Sequence, residues 1–384
     1  MRRLLILFLI TWPAQMLFSQ ALTSINFHEL YNPDSEVSIA LQPVRTPQKI
    51  EVYYYIQTPL LPLEKYEITW ERREAYTQRN GSVLTTTDIP SEKEVKGVLT
   101  FDIPAKPWLL VVKVTNKETQ RSWFHFKRIE ENYPVSGWME QDQKRMTRKY
   151  MIVNQPYTIM GSENKPFHVS WFNEDFPAAL PPFAENENKA DRFLFHDSTF
   201  QVTPGSSVSF SKTGLYLFQK DTTAAEGFAV RAVSRTYPKF SKIEDLVKPL
   251  IFICTQDEYA QLQNAKGDKA KFDKVILDIT KDKDRASNFM KSYFRRIELA
   301  NQYFISYKEG WKTDRGMIYL IFGLPDEVSV NDGNEIWFYR NSRSRFTFVK
   351  SGSVYDPDNY ILLRDKRFME AWFSTIDLWR KSRF

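Results

Sequence analysis

Apolar and polar residues alternate in a series of short runs over the first third of the chain. Val37, Ile39 and Leu41 make one run; Ile50, Val52, Tyr54 and Ile56 make a second; Tyr66, Ile68 and Trp70 make a third. Val98 to Ile103, Trp108 to Val114 and Ser122 to Arg128 continue the series. A period of two, broken by turn residues, puts one face of each strand in a core and the other in water. Asn80-Gly81 adds a two-residue hairpin signal, because both residues tolerate positive φ.

This spacing predicts an immunoglobulin-like β-sandwich over residues 21–135, in architecture only, since the Cys…Trp…Cys pattern is missing. Ser136 to Lys149 is polar and reads as a linker or an isolated helix. A second, smaller β-sandwich is expected over 150–236, with strands at Phe167–Phe172, Arg192–His196, Leu215–Gln219 and Phe228–Val233. The loop Phe176–Phe183 carries Pro177, Pro181 and Pro182. It is excluded from a central strand, because proline donates no ladder hydrogen bond.

Near Tyr237-Pro238 the period changes to 3.6. Ile243, Leu246, Val247 and Leu250 share a helical face, and Thr255 with Glu258 is a capping-box pair for the next helix. The longest helix is expected over Asp284–Tyr307, with Phe289, Tyr293, Ile297, Ala300 and Phe304 as its stripe and Gly310 as its stop. Met317–Phe322, Glu335–Arg340 and Arg345–Lys350 read as a three-stranded antiparallel meander for that helix to cover. Phe368, Trp372, Ile376 and Trp379 read as a closing helix. The fold class is therefore multidomain and mainly β: two tandem β-sandwiches, then a small α+β domain over 237–384.

Composition narrows the class further. The 384 residues are 42% apolar and 26% charged, which excludes a disordered tail and a small stapled peptide. Arg2 and Arg3 followed by the apolar run Leu4–Ile10 and Ser19-x-Ala21 predict a signal peptide over 1–20. That run is too short to span a bilayer, and no other stretch approaches the length, so no transmembrane span is expected in the mature chain. No cysteine lies near the cleavage region to accept a lipid, so a periplasmic or secreted protein is expected. Loss of Arg2 and Arg3 with the leader leaves 51 of the 53 basic residues against 47 acidic ones, spread along the chain. Nucleic acid is therefore not an expected partner. Cys254 sits in an apolar run and reads as a small buried hydrophobe.

Gly310-Trp311-Lys312-Thr313-Asp314-Arg315-Gly316 leads into an apolar run, Gly323-Leu324-Pro325 follows, and Glu335-Ile336-Trp337-Phe338-Tyr339 comes next. This order resembles the GWxTD-domain family of exported bacterial proteins, over about a quarter of the chain, Ile251–Lys350. Tandem sandwiches behind a leader ending in Ser-Gln are similar to Bacteroidetes-type members. The Phe-Trp and Arg-Asp-Pro stretch that often precedes the family's long helix is replaced here by Phe272–Asp284, which keeps a Phe but lacks that Trp and Pro. The resemblance implies fold and compartment and carries no chemistry to transfer.

Each motif residue has a structural task to perform. Gly310 is expected to end the helix at positive φ, Trp311 to fill the space between helix and sheet, and Gly316 to permit close backbone approach. Thr313 and Asp314 are expected to bond the backbone of the turn starting the strand. Arg315 is expected to pair with Asp326 or Glu327. Gly323, Pro325 and Trp337 complete the structural set. The catalytic alternative has Asp314, Arg315, Asp326 and Glu327 converging on a cleft, as an acid and a nucleophile for glycan hydrolysis.

His28, His125, His168 and His196 lack metal-ligand spacing, and Asp278, Asp282 and Asp284 lack a full calcium loop. No phosphate loop, Gly-x-Ser-x-Gly elbow or Cys–His signature is found. No catalytic residue, metal or cofactor is therefore expected. The expected function is a non-catalytic binding or assembly module of the bacterial cell envelope. Its partner would be an envelope protein or glycan, engaged through an open strand edge or an aromatic groove. A chain ending in a helix, not a β-rich sorting domain, is expected to be an accessory protein and not type IX cargo.

Overall fold

A computed structural model describes residues 20–85, 89–173, 175–185 and 194–383. The expected leader lies outside the described residues except for Gln20, as do Arg192 and Phe193 of the strand expected there. The strand forms instead at Ser198–Val202.

The first sandwich packs two four-stranded sheets. One runs in the order Ser38–Arg45, Lys49–Gln57, Glu94–Asp102 and Ile89–Pro90; the other Ser82–Leu84, Tyr66–Arg73, Trp108–Asn116 and Ser122–Ile129. Ile50, Val52, Tyr54 and Ile56 all point into the core, where they meet Trp70, Leu110, Val112 and Trp123. Asn80-Gly81 is not a two-residue turn. Neither residue has positive φ, and Tyr66–Arg73 pairs with Ser82–Leu84 across the whole loop 74–81.

The tight hairpin lies elsewhere, in the segment expected to be a linker or helix. Gly137–Gln141 and Lys144–Arg145 pair around Asp142 and Gln143, whose φ angles are 51° and 61°. Such a left-handed pair is what a two-residue hairpin needs. The two strands join Pro156–Gly161 and Ser207–Ser209 in one sheet of the second sandwich. The other sheet runs Tyr150–Ile152, Phe228–Val233, Gly214–Gln219, Phe167–Phe172 and Ser198–Val202, with its first pair parallel.

Among the described residues six α-helices follow: α1 (Ile243–Val247), α2 (Gln256–Asn264), α3 (Lys269–Thr280), α4 (Lys283–Phe304), α5 (Asp314–Phe322) and α6 (Met369–Arg380). The capping box of α2 is present in both directions. The stripe of α4 is buried as expected, but the helix ends at Phe304, where Ile305 turns extended at ψ 134°, so Gly310 is not its stop. Met317–Phe322 is not a strand. Thr313 caps the N-terminus of α5, and Gly323 ends it at φ 85°. A capping hydroxyl and a left-handed glycine are ordinary helix ends, and Met317–Phe322 between them is apolar all round because protein surrounds it. The meander has four strands instead of three: Glu327–Asn331, Asn334–Tyr339, Ser344–Lys350 and Tyr360–Leu362.

The N-terminal segment packs away from the sandwich that follows it. Leu22, Ile25, Phe27 and Tyr31 enter the C-terminal core together with α4, α5 and the meander. Asn26 accepts the Val328 amide at 2.8 Å and donates to the Asp326 carbonyl at 3.0 Å, while the Phe27 amide donates to the Val328 carbonyl at 2.8 Å. The strand Trp108–Asn116 serves two cores, with Leu110 and Val112 facing its own sandwich and Leu109 and Val111 facing the C-terminal one.

Phe27 is 2% exposed and meets Phe126 edge-on, with ring centroids 5.4 Å apart. Phe27→Ala is expected to cost about 3–5 kcal/mol. Urea unfolding followed by tryptophan fluorescence should place that loss in the C-terminal module as well as the first sandwich.

Candidate functional site

The motif is built on backbone contact. Gly310 opens a 3-10 turn, Gly310–Lys312, that lies directly on α4, and a Cβ on it would stand 2.0 Å from the Ala300 carbonyl oxygen. A Cβ on Gly316 would stand 1.8 Å from the Gly310 carbonyl oxygen. The spacing between the two glycines thus stacks the turn between α4 and the first turn of α5. The Asn301 side chain, fully buried, accepts the Trp311 amide at 3.2 Å and donates to the Pro238 carbonyl at 3.1 Å. Thr313 donates its hydroxyl to the Gly310 carbonyl at 2.7 Å and accepts the Gly316 amide at 3.0 Å. Trp311 is buried against Phe252, between helices and not between helix and sheet.

Asp314 and Arg315 leave this turn in different directions. The Asp314 carboxylate accepts the Leu362 amide at 2.8 Å and is held by both terminal nitrogens of Arg364, Nη2 at 2.5 Å and Nη1 at 3.4 Å; Arg364 also donates to the Leu180 carbonyl at 3.0 Å. Both side chains are almost fully buried. The acid therefore bonds the backbone, but at the last meander strand. Arg315 pairs with Glu335 at 3.2 Å and not with Asp326 or Glu327. Asp326 instead accepts the Arg340 amide at 2.8 Å, and Glu327 is exposed. The four residues of the catalytic alternative are thus divided among separate partners.

Gly323 gives its carbonyl to the Tyr339 hydroxyl at 2.9 Å, and Arg296 donates to the Ile321 carbonyl at 3.1 Å. A cation thereby closes the C-terminal end of α5, where the helix dipole favours it. Pro325 is buried in the turn that follows. Trp337, completely buried, donates its indole N–H to Glu335 at 3.0 Å. Glu335 also accepts the Tyr31 hydroxyl at 2.8 Å, so this one carboxylate joins the N-terminal segment, the meander and the motif.

Arg315 points toward a cleft of about 780 Å³ where both sandwiches and the C-terminal module meet. The first sandwich contributes His125 and Lys127, the second Lys149, and the C-terminal module Arg315, Glu335, Lys350, Asp358 and Tyr360. Tyr76, Phe126, Tyr133 and Tyr303 add ring surface. Lys127 hydrogen-bonds Asp358; Lys350 approaches the same carboxylate at 3.4 Å and Lys149 at 3.8 Å, with Asp356 3.6 Å from Lys149. Arg315 donates to the Asp358 carbonyl at 3.2 Å and lies over the Tyr360 ring, 4.2 Å from its centroid.

Burial alone would raise the Asp358 carboxyl, but Lys127, Lys350 and Lys149 hold it well below the usual carboxylate range. Burial pushes the Lys127 ammonium down, against the pull of Asp358. Burial, with Lys127 adding repulsion against Asp358, lowers the His125 imidazole from 6.5 to about 4. Outside the cleft, burial pushes the Cys254 thiol up to about 12, so it is protonated and poorly nucleophilic at neutral pH.

Sequence reasoning missed Glu335, Arg364, Asp358 and Lys127. Glu335 alone carried a signal: it shares strand parity with Trp337 and Tyr339, so an alternating reading puts a charge on the buried face. Arg364 and Asp358 lie in irregular segments of no fixed period.

Residues 214–381 match the model of the GWxTD domain, and the chain is a GWxTD-domain-containing protein. The match starts at Gly214, in the second sandwich, and so takes in two of its strands as well as the helices and meander. No curated protein matches the chain. Among the described residues, no group of three or more His, Cys, Asp and Glu is placed to hold a metal, and no helix is long and apolar enough to cross a membrane.

The buried charges set two expected outcomes. Asp314→Asn should destabilise by about 3–5 kcal/mol, since it strands the Arg364 guanidinium. Arg364→Met in the same chain should recover part of the loss in a double-mutant cycle. His125 stays neutral in the fold while the unfolded chain takes up its proton, so the second outcome is a fall in stability on acidification. It should amount to about 3 kcal/mol as pH drops from about 6.5 to about 4. Urea unfolding at several pH values should show a shallower fall in this window for His125→Gln.

Proposed function

We propose that this chain is a non-catalytic binding or assembly module of the bacterial cell envelope, exported by its N-terminal segment to the periplasm or beyond. The observation that carries this reading is the occupation of the motif's acid. Asp314 commits its oxygens to Leu362 and Arg364, so the residue best placed in sequence to act as a catalyst is structural. Asp358 and Glu335 in the cleft are also poorly suited to glycoside hydrolysis. That reaction needs one carboxyl kept protonated as the acid, whereas Asp358 is held ionised by three ammonium groups. Glu335 is committed to Arg315, Tyr31 and Trp337.

What remains is a large cleft with charged and aromatic walls, which suits retention of a ligand or partner. Envelope fractionation should find the processed chain in the periplasm or medium. The purified mature protein should release no reducing ends from envelope glycans, while envelope preparations retain it. Release of reducing ends that tracks the intact protein overturns the reading.

A further inference from the structure

We propose that the three-domain cleft binds a compact organic anion, one carboxylate or phosphate group on a ring-sized body, with Lys149 and Lys350 as the anion-binding cations. The proposal deepens the binding reading above and rests on it. The cleft is lined by Lys127, Arg128, Lys149, Arg315 and Lys350 and by Glu130, Asp332, Glu335 and Asp358, five cations against four carboxylates, and Asp356, outside that lining, lies 3.6 Å from Lys149. Arg128 and Glu130 neutralise each other at the rim, 3.0 Å apart.

The cations are also unequally engaged. Lys127 is hydrogen-bonded to Asp358 and Arg315 is tied to Glu335. Lys149 and Lys350 touch carboxylates only at 3.4–3.8 Å, and their side chains are 50% and 34% accessible. An ammonium has three donors, so these two keep N–H groups that an incoming carboxylate or phosphate can take. Charge-assisted bonds of this kind are stronger than neutral ones.

Size and wall chemistry set the rest of the ligand. The cleft volume of about 780 Å³ falls within the ordinary range for small-molecule sites. The rings of Tyr76, Phe126, Tyr133 and Tyr303 line the same space. They offer flat apolar surface to the ligand body while the lysines fix its anionic end. Because the two lysines come from different domains, a bound anion would bridge the second sandwich and the meander across Asp358. Ligand binding would then hold the domains in one arrangement, which is what an assembly module requires.

Isothermal titration of the full mature chain with glucuronate, glucose 6-phosphate and neutral glucose tests this directly. Saturable binding of at least one anion is expected, weakening as salt is added, with no binding of glucose. The K149Q/K350Q variant should bind roughly tenfold more weakly or worse, while Lys269→Gln, on the exposed face of α3, should bind as the parent does. Binding by the unaltered chain is itself decisive, so the test survives a variant that folds poorly. Three results overturn the proposal: no saturable binding of either anion at millimolar concentration, equal binding of glucose, or unchanged binding by K149Q/K350Q. Envelope retention that persists when no anion binds would sink this site and leave the broader binding reading in place.

Discussion

Two backbones touch in this protein where no side chain fits between them, and the functional geometry depends on that contact. The turn at Gly310 lies on the Ala300 carbonyl, and α5 starts with Gly316 against the Gly310 carbonyl. A Cβ at either place would have to push α4 and α5 apart. Once the turn is fixed, Asp314 and Arg315 follow as adjacent residues of one helix start, about 100° apart around its axis. One is sent into the protein toward Arg364, the other toward Glu335 and the cleft. The motif therefore acts as a joint that aims two opposite charges, and its acid serves the joint.

Close packing of shared surfaces also governs how the domains are joined. In a plain sandwich the outer face of Trp108–Asn116 would be wet. Here Leu109 and Val111 bury it against the C-terminal core, with Phe27 and Tyr31 from the chain start completing the layer. The second sandwich is attached by Phe172, Phe176, Leu215 and Leu217 around Tyr307. Such apolar seams resist relative motion more than polar ones. The cleft remains open among them, lined by Lys127, Lys149 and Lys350 from the three domains.

Most of the fold is legible where one period runs unopposed. The strands around Ile50–Ile56 and the stripe of α4 have one wet face and one dry face, so their patterns are clear. Met317–Phe322 reads as a strand because a segment buried on all sides has no polar face to reveal its period. The helix signals are its ends, Thr313 and Gly323, and not its interior. Asn80-Gly81 misleads for a different reason: composition permits a tight turn, but the strands are joined by the longer loop 74–81, and the left-handed pair falls to Asp142-Gln143. The site is less legible, since Lys127, Lys149 and Lys350 are brought together only by the docking of three domains.

That docking also explains the disposition of charge. Gathering three ammonium groups in one cleft is unfavourable unless carboxylates lie among them. Asp358 supplies the nearest one, and the Ser306 hydroxyl, 2.5 Å from Asp356, helps to hold the second. A cluster selected for stability alone would place ammonium and carboxylate in matched hydrogen-bonded pairs. Here one pair is close, three contacts are long, and the lysines with the long contacts are the accessible ones. The loose pairs line the cleft, while the pair of Asp314 and Arg364 is enclosed and outside its lining. The protein thus separates its ionic groups by task, fixing the fold with the enclosed ones and leaving the others free to meet what enters.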